Sequence, residues 1–317
     1  MSSGRLLLFV VLAALVALGI FGYGDFRETG RQLADFPMSH LMAALLLAAL
    51  NYLLRFLRWS YYLRVLAIPV PLGASSLVFL SGLAMSVTPA KAGEVLKCYL
   101  LRDRWELDIS RTLPVVLMER LTDLIAVVAL ALIGMALLPA PLVAGLAGVL
   151  AVCFLVLLAM LSIGGRRLFD LPVARRWKSG LTASQDALQH LARPHVMAVA
   201  LALAAAAWLS EGLALWVILT GLNANLDIHR VLPIYAAATL VGALTTLPGG
   251  LIGTEGSMLA LLQQSGIARG PASASTILVR LATLWFAVAV GLAAWAWLNR
   301  RGASRQNPGG DLGREHG

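Results

Sequence analysis

Residues 246–255 read T-L-P-G-G-L-I-G-T-E, and residues 88–94 read T-P-A-K-A-G-E. Each block places Pro and Gly in the middle of an apolar stretch, at about 231–264 and about 73–101 respectively. Backbone groups that lose their hydrogen bonds at bilayer depth are tolerated only inside protein or beside a wet cavity. We therefore predict two broken, re-entrant helical hairpins, each of which enters the membrane and returns to the side it came from.

Apolar runs of about 20 residues surround the two broken stretches, and each can cross roughly 30 Å of hydrocarbon. We predict full transmembrane helices at about 5–24, 40–64, 111–138, 141–163, 195–221 and 272–298. The composition agrees, because 59% of the residues are hydrophobic and 13% are charged, whereas soluble domains carry about 25% charged residues. The chain is therefore predicted to be an all-α polytopic membrane protein.

Lys and Arg residues cluster in the short loops, which is the positive-inside pattern. This pattern explains the net charge of +9 without a nucleic-acid partner. Segment 164–194 is rich in Arg, so we predict that this linker and both termini are cytoplasmic, in the plasma (inner) membrane of a bacterium. Residues 1–298 are interpreted as one transmembrane domain and 299–317 as a disordered tail. A short amphipathic helix near 181–191 is predicted to lie on the inner surface.

The two broken blocks belong to a repeated pattern of spacings. An Arg follows each Pro after about 31 residues, and a polar residue precedes each Pro by about 37 residues. The members are Asn51, Pro89 and Arg120 in the first half and Glu211, Pro248 and Arg280 in the second. Three crossings separate the two units, so residues 41–138 and 195–298 are predicted to form an inverted repeat with the site at its interface. Chance is the alternative, because Pro and Gly are frequent in membrane helices.

Polar residues inside the predicted spans and at the breaks form the candidate substrate-binding site. A charge at the bilayer centre costs at least about 2.5–3.5 kcal/mol on insertion scales, so each one needs a reason. Glu119 and Asp123 share one helix face, and Arg120 can reach Asp123 one turn away. The candidate residues are Asn51, Arg55, Arg58, Lys91, Gly93, Glu94, Glu119, Arg120, Asp123, Glu211, Pro248, Gly249, Gly250, Gly253, Glu255 and Arg280.

Structural explanations for the same charges stay open. The buried charges can pair only to satisfy each other, and Arg58 can extend its side chain to the inner interface. Glu94 and Glu255 each follow a break, where a carboxylate can cap the first turn of a new helix. The functional alternative is that half-helices beginning near Gly93 and Gly253 offer their free N–H groups to an anionic headgroup.

Four motifs in this order resemble one known family. They are N-x3-R-x2-R-W from Asn51 to Trp59, T-P-A-K-x-G-E from Thr88 to Glu94, E-R-x2-D from Glu119 to Asp123, and P-G-G-x2-G-x-E from Pro248 to Glu255. Over about 5–298 the chain resembles the lysylphosphatidylglycerol synthase transmembrane-region family, the flippase-like membrane domains of bacteria and archaea.

The resemblance implies a protein that handles lipids. In the best-known members this domain is thought to move an aminoacylated phospholipid to the outer leaflet, and a cytoplasmic synthase domain attaches the amino acid. The present sequence shows no such synthase domain, so we do not expect it to make that lipid. Stand-alone members are associated with various lipids, including polyprenyl-linked sugars and hopanoids, and the lipid is left open.

We predict a lipid transporter that moves an anionic or polyprenyl-linked lipid between leaflets, and not an enzyme. The sequence shows no nucleotide-binding or hydrolase motif, and we predict no cofactor and no metal. One alternative is a lipid-modifying enzyme that uses the Glu119 and Asp123 carboxylates for acid–base chemistry. Another is a non-catalytic partner in a lipid or cell-envelope complex. The predicted partner is a membrane phospholipid or isoprenoid lipid, and a homo-oligomer or an assembly with lipid-biosynthesis enzymes is left open.

Overall fold

The computed structural model describes residues 19, 26–88, 94–134, 140–161, 178–245 and 247–305, and every regular element among them is a helix. In chain order the α-helices are α1 Phe26–Ala34, α2 Met38–Val65, α3 Leu72–Leu83, α4 Leu96–Trp105, α5 Ile109–Ile133, α6 Ala140–Leu161, α7 Lys178–Leu191, α8 Pro194–Gly221, α9 Ile228–Leu244, α10 Gly253–Gln264, α11 Arg269–Arg280 and α12 Phe286–Arg305. A 3-10 turn covers Pro248–Gly250, and a π-helical segment, Leu281–Trp285, joins α11 to α12.

Five of the predicted spans coincide with described helices, namely α2, α5, α6, α8 and the continuous helix from α11 to α12. The predicted first span, 5–24, lies outside the described residues except for residue 19. Helix α12 continues to Arg305, and the rest of the predicted tail lies outside the described part. The helix predicted near 181–191 is α7, which packs against α5 through a hydrogen bond from Ser184 Oγ to the Ser110 carbonyl, 2.8 Å long.

Among the described residues, three helices are long and apolar enough to cross a membrane: Met38–Val65, Pro194–Gly221 and Arg269–Leu298. Helix α5 has 25 residues, but Glu119, Arg120 and Asp123 make its centre polar. These helices support a multi-pass membrane chain, while the count of six full spans stays a prediction.

Helix α2 shows the polarity pattern of a protein embedded in lipid. Its large apolar side chains are exposed along one stripe, which consists of Met38, Met42, Leu46, Leu50, Leu53 and Leu57. Its opposite face buries Asn51, Arg55 and Arg58 inside the protein. Exposed contiguous apolar surface of this kind marks a membrane-facing side, so lipid is the natural solvent of the stripe.

Both predicted breaks are present, and the second one is described except for residue 246. Helix α9 ends at Leu244 and α10 begins at Gly253. Between them Gly249 and Gly250 have φ values of +64° and +67°, in the left-handed region that glycine reaches without steric cost. In the first hairpin α3 ends at Leu83 and α4 begins at Leu96, and residues 89–93 lie outside the described part.

Glycines allow the two arms of each hairpin to approach closely. A β-carbon on Gly242 of α9 would lie 3.0 Å from both the Cβ and the backbone nitrogen of Thr254 in α10. A β-carbon on Gly82 of α3 would lie 2.8 Å from Cγ of Lys97 in α4. Small residues commonly allow this closeness between membrane helices.

The helices pack around a central pair formed by α2 and α8. Helix α3 of the first hairpin packs against α12, the last described helix. Helix α9 of the second hairpin packs against α5, the helix that follows the first hairpin. Helix α5 also contacts α2 and α8. This arrangement brings the polar faces of α2, α5 and α8 and both hairpins to one central region.

Candidate functional site

A cavity of about 330 Å³ lies at this central region. Its polar lining residues are Tyr52, Arg55, Ser86, Thr88, Arg120, Asp123, Glu211, Tyr235, Thr239, Thr254, Arg280 and Thr283. Apolar residues such as Trp208, Leu240 and Leu284 complete the wall. The volume is at the lower end of the range for small-molecule pockets, so the cavity can hold a single small polar group.

Asp123 joins the polar face of α2 to α5. Its Oδ2 lies 2.6 Å from Nη2 of Arg55, and its Oδ1 lies 2.8 Å from Nη2 of Arg58. Arg58 also donates to Oγ1 of Thr122 at 3.1 Å. The Arg58 side chain is 1% exposed, so the prediction that it extends to the interface is wrong, because an acid and a hydroxyl on α5 hold it inside the protein.

Glu94 and Lys97 connect the first hairpin to α5. Arg120 donates to Oε2 of Glu94, and Lys97 Nζ lies 3.7 Å from the same oxygen. Lys97 Nζ is also 2.6 Å from Oε2 of Glu119. Nη1 of Arg120 lies 3.9 Å from Oδ2 of Asp123. Arg120 therefore has Glu94 as its nearer partner, although the helical spacing points to Asp123.

Lys97 lies in an enclosed position behind this group. Its ammonium is 4.5 Å from the ring centre of Trp59 and 5.3 Å from that of Phe79, within the range of cation–π attraction. The residue is 2% exposed. The aromatic rings, together with Glu94 and Glu119, stabilise a full positive charge inside the protein.

Arg280 plays the corresponding part in the second hairpin. Its Nε lies 2.6 Å from Oε1 of Glu255, and its Nη2 donates to the carbonyl of Gly249 at 2.5 Å. Glu255 lies in the first turn of α10, where a carboxylate is also favoured by the helix dipole, so its pairing with Arg280 and its place in the first turn are compatible. Arg280 thus ties α11 to the tip and to the first turn of α10.

Glu211 lines the cavity from α8. Its Oε2 accepts a hydrogen bond of 2.7 Å from the hydroxyl of Tyr235 in α9. Tyr52 lies on the same cavity wall and donates to the carbonyl of Thr283 at 2.9 Å. These tyrosines add two hydroxyl groups, each already donating a hydrogen bond within the protein, to the polar part of the wall.

The described charged cluster contains as many carboxylates as cations. The cations are Arg55, Arg58, Lys97, Arg120 and Arg280, and the carboxylates are Glu94, Glu119, Asp123, Glu211 and Glu255. The cluster is therefore neutral when all of these groups are ionised, which limits the cost of burying it. An added anion must replace one of the carboxylates.

The structure brings most of the predicted site residues together. Those that line the cavity are Arg55, Arg120, Asp123, Glu211, Gly249, Gly250 and Arg280. Those around it are Arg58, Glu94, Glu119, Pro248, Gly253 and Glu255. Asn51 instead donates to the Ala207 carbonyl at 2.8 Å and ties α2 to α8. Lys91 and Gly93 lie outside the described residues.

The sequence-based prediction of site residues lacks Lys97 and seven polar residues that line the cavity: Tyr52, Ser86, Thr88, Tyr235, Thr239, Thr254 and Thr283. Lys97 follows Glu94 by three residues in a half-helix, and this spacing is a signal that indicates a shared face. The tyrosines carry no comparable signal, because aromatic residues are common in apolar helices. Within the described ranges, no group of three or more His, Cys, Asp or Glu side chains is placed to hold a metal ion.

The fold and this site together define a multi-pass helical membrane protein with a charged cavity between two broken hairpins. The chain belongs to the family described as Lysylphosphatidylglycerol synthase TM region, whose model matches residues 6–291. The family resemblance seen in the sequence is thereby confirmed.

Two archaeal relatives extend this comparison. A UPF0104 membrane protein of Methanothermobacter thermautotrophicus is 25% identical over 322 residues, which cover 92% of this chain and 94% of the relative. A UPF0104 membrane protein of Methanocaldococcus jannaschii is 26% identical over 220 residues, which cover 65% of this chain and 90% of the relative. Both names support a membrane protein and state no substrate.

Proposed function

We propose that this protein moves a phosphate-bearing lipid between the leaflets of the membrane, with the headgroup in the central cavity and the tails in the bilayer. The observation that carries the proposal is that Arg120 and Arg280 both face this one cavity. A guanidinium group binds phosphate bidentately through its planar fork. The remaining wall is mostly uncharged, as suits a pocket for one headgroup.

The inverted repeat is part of this proposal, and the lining of the cavity supports it. Several lining residues form pairs with one constant separation along the chain: Arg120 with Arg280, Asp123 with Thr283, Leu124 with Leu284, and Val127 with Ala287. The helix contacts are related in the same way. Helix α3 of the first hairpin packs against α12, and α9 of the second hairpin packs against α5. A two-fold axis through the cavity would relate these pairs, and secondary transporters bind substrates at such an interface.

Ion-pair exchange gives the headgroup a way to bind. Arg120 is held by Glu94, and Arg280 is held by Glu255. A phosphate that enters the cavity offers either arginine a new anionic partner of the same charge as a carboxylate. The occupied site then carries one added negative charge, unless the displaced carboxylate takes up a proton, and another cation of the cluster can stabilise that carboxylate. Binding therefore requires a side chain that can change partners.

The proposal is tested by reconstituting the purified chain into phosphatidylcholine vesicles with fluorescent phosphatidylglycerol or a fluorescent short-chain polyprenyl phosphate. We expect the protein to accelerate transfer of at least one probe to the other leaflet, measured by quenching with a membrane-impermeant reductant. Mass spectrometry of the recovered lipids should show them unchanged.

Two outcomes of this experiment contradict the proposal. Leaflet exchange equal to that of protein-free vesicles for both phosphate-bearing probes would exclude such transport. A chemically altered probe would instead favour the lipid-modifying enzyme that the carboxylates on α5 also allow. The control is fluorescent diacylglycerol, which lacks the phosphate and should show no dependence on Arg120.

A further inference from the structure

The two cavity arginines are held in unequal ways, although they occupy corresponding places. The Arg120 side chain is 29% exposed, whereas that of Arg280 is 15% exposed. Arg280 is bound on two sides, by Glu255 and by the Gly249 carbonyl of the hairpin tip. If Arg280 left Glu255, it would also release the tip, so movement of Arg280 disrupts two contacts.

The acids that hold these arginines differ as well. Glu94 lies between two cations, since Arg120 donates to it and Lys97 Nζ is 3.7 Å from the same oxygen. Among the described residues, the cation near Glu255 is Arg280 alone. The position three residues after Glu94 is Lys97, and the position three residues after Glu255 is Met258, which is fully buried.

A carboxylate that loses its cation inside the protein is costly, because a buried charge needs a compensating partner. When Arg120 turns away from Glu94, Lys97 remains as a positive neighbour within reach of that carboxylate. When Arg280 turns away from Glu255, no described cation replaces it, and Glu255 must stay uncompensated or take up a proton. We therefore expect Arg120 to leave Glu94 at a lower free-energy cost than Arg280 leaves Glu255.

We propose that Lys97 is the positioning residue that frees Arg120 from Glu94 to bind the phosphate of the lipid, while Arg280 stays with Glu255 and holds the second hairpin tip. This inference rests on the proposed function, because it assigns the exchanging arginine of that same site. Lys97 itself does not contact the lipid, since it is buried behind the cavity against Trp59 and Phe79. It acts through Glu94.

The proposal predicts a specific dependence on pH. The charged side chains that face Glu94 across the adjoining small space are Arg55, Lys97, Glu119 and Arg120. In the native protein Glu94 stays ionised beside Lys97 when Arg120 leaves, so binding takes up no proton at this site. Without Lys97, Glu94 keeps Arg55 as a cation across this space but loses its neighbour at 3.7 Å, so release of Arg120 should favour proton uptake on binding. Affinity should therefore rise as the pH falls, by at most about tenfold for each unit, which is the limit for uptake of one proton.

The test is a double variant, Lys97→Met with Glu119→Gln. It removes both members of the Lys97–Glu119 ion pair and therefore leaves the net charge unchanged. Binding of fluorescent phosphatidylglycerol to the detergent-purified chain is measured between pH 6 and 8. We expect binding about tenfold weaker than in the native chain at pH 7.5, with most of the loss recovered at pH 6.5. Glu119→Gln alone is the matched comparison: because Lys97 is still beside Glu94, its binding should not acquire the pH dependence of the double variant, whatever its affinity.

A third substitution separates this role from a purely structural one. Adding Glu94→Gln to the double variant removes the carboxylate whose charge Lys97 balances, so pH-independent binding should return. Native affinity and native pH dependence in the double variant would overturn the inference, as would a loss of binding that Glu94→Gln does not repair. If the native chain binds the probe and Arg120→Ala does not, these results leave the proposed function standing. If the native chain binds no phosphate-bearing probe, both proposals are wrong.

Discussion

Gly249 at the tip of the second hairpin lies directly against Val87 in the first, since a β-carbon on Gly249 would be 3.8 Å from the Val87 α-carbon. Val87 also packs with Leu284 and Val288 in a small apolar cluster. The tips of the two hairpins thus meet at one point beside the cavity. A movement of either tip changes this contact, so we expect the opening of the cavity that the proposed transport requires to involve it.

Cysteines at positions 87 and 249 should form a disulfide under mild oxidation, because their α-carbons are within the usual bonding distance. Cys98 and Cys153 are both buried and would be replaced by Ala. We expect the cross-linked protein to lose leaflet exchange and to recover it after reduction. The cross-link is detected by mass spectrometry, and each single-cysteine variant, assayed with and without oxidant, measures the effect of the substitution alone, including the strain of a side chain at Gly249, where φ is +64°. A failure to cross-link would show that the tips do not meet.

Arg120 should be required for lipid transfer in both its charge and its shape. Arg120→Ala removes a charge-assisted contact worth roughly 1.5–3 kcal/mol, so we expect transfer to fall by about 10- to 100-fold. Arg120→Lys should also lose most activity, because the ammonium lacks the planar fork. Size-exclusion profiles and expression of the same preparations show whether the variants are folded. Folded variants with native transfer rates would remove Arg120 from the headgroup site.

The close approach of α9 and α10 at Gly242 should be sensitive to one methyl group. In Gly242→Ala the new β-carbon would lie 3.0 Å from atoms of Thr254, so we expect destabilisation of about 1–3 kcal/mol by overpacking. Gly256→Ala in α10 is the matched control, because no atom lies within 4 Å of its new β-carbon. That substitution should be neutral or stabilising by about 0.5–1 kcal/mol. Thermal unfolding in one detergent compares the two, and equal midpoints would contradict the packing argument.

The orientation in the membrane stays a prediction based on the Lys and Arg distribution. A cysteine at position 180 in α7 should react with a membrane-impermeant maleimide only in inside-out vesicles, since the linker 164–194 is predicted to be cytoplasmic. Intact cells, which expose only the outer face of the membrane to the reagent, provide the comparison for the same variant. Labelling from outside in intact cells would reverse the predicted orientation of the whole chain.

Local pattern was sufficient to predict the helices and both breaks. Hydropathy and periodicity depend on neighbouring residues, so α2, α8 and the start of α10 at Gly253 were predicted close to their actual positions. The short helix α1 was missed, because its nine residues carry little apolar signal. Most of the buried charges were also identified, since a charge within an apolar run is visible without any tertiary information, but Lys97 was not.

The sequence by itself determined most of the helical segments, where the helices break and most of the buried charges, because these properties follow from composition and spacing along one segment. Only the tertiary structure decided which charges pair. Arg120 contacts Glu94 instead of Asp123, and Lys97 belongs to the cluster, because α4 brings its side chains against α5. Helical spacing identifies neighbours on one helix, whereas ion pairs between helices depend on how distant segments pack, and packing is a property of the whole chain.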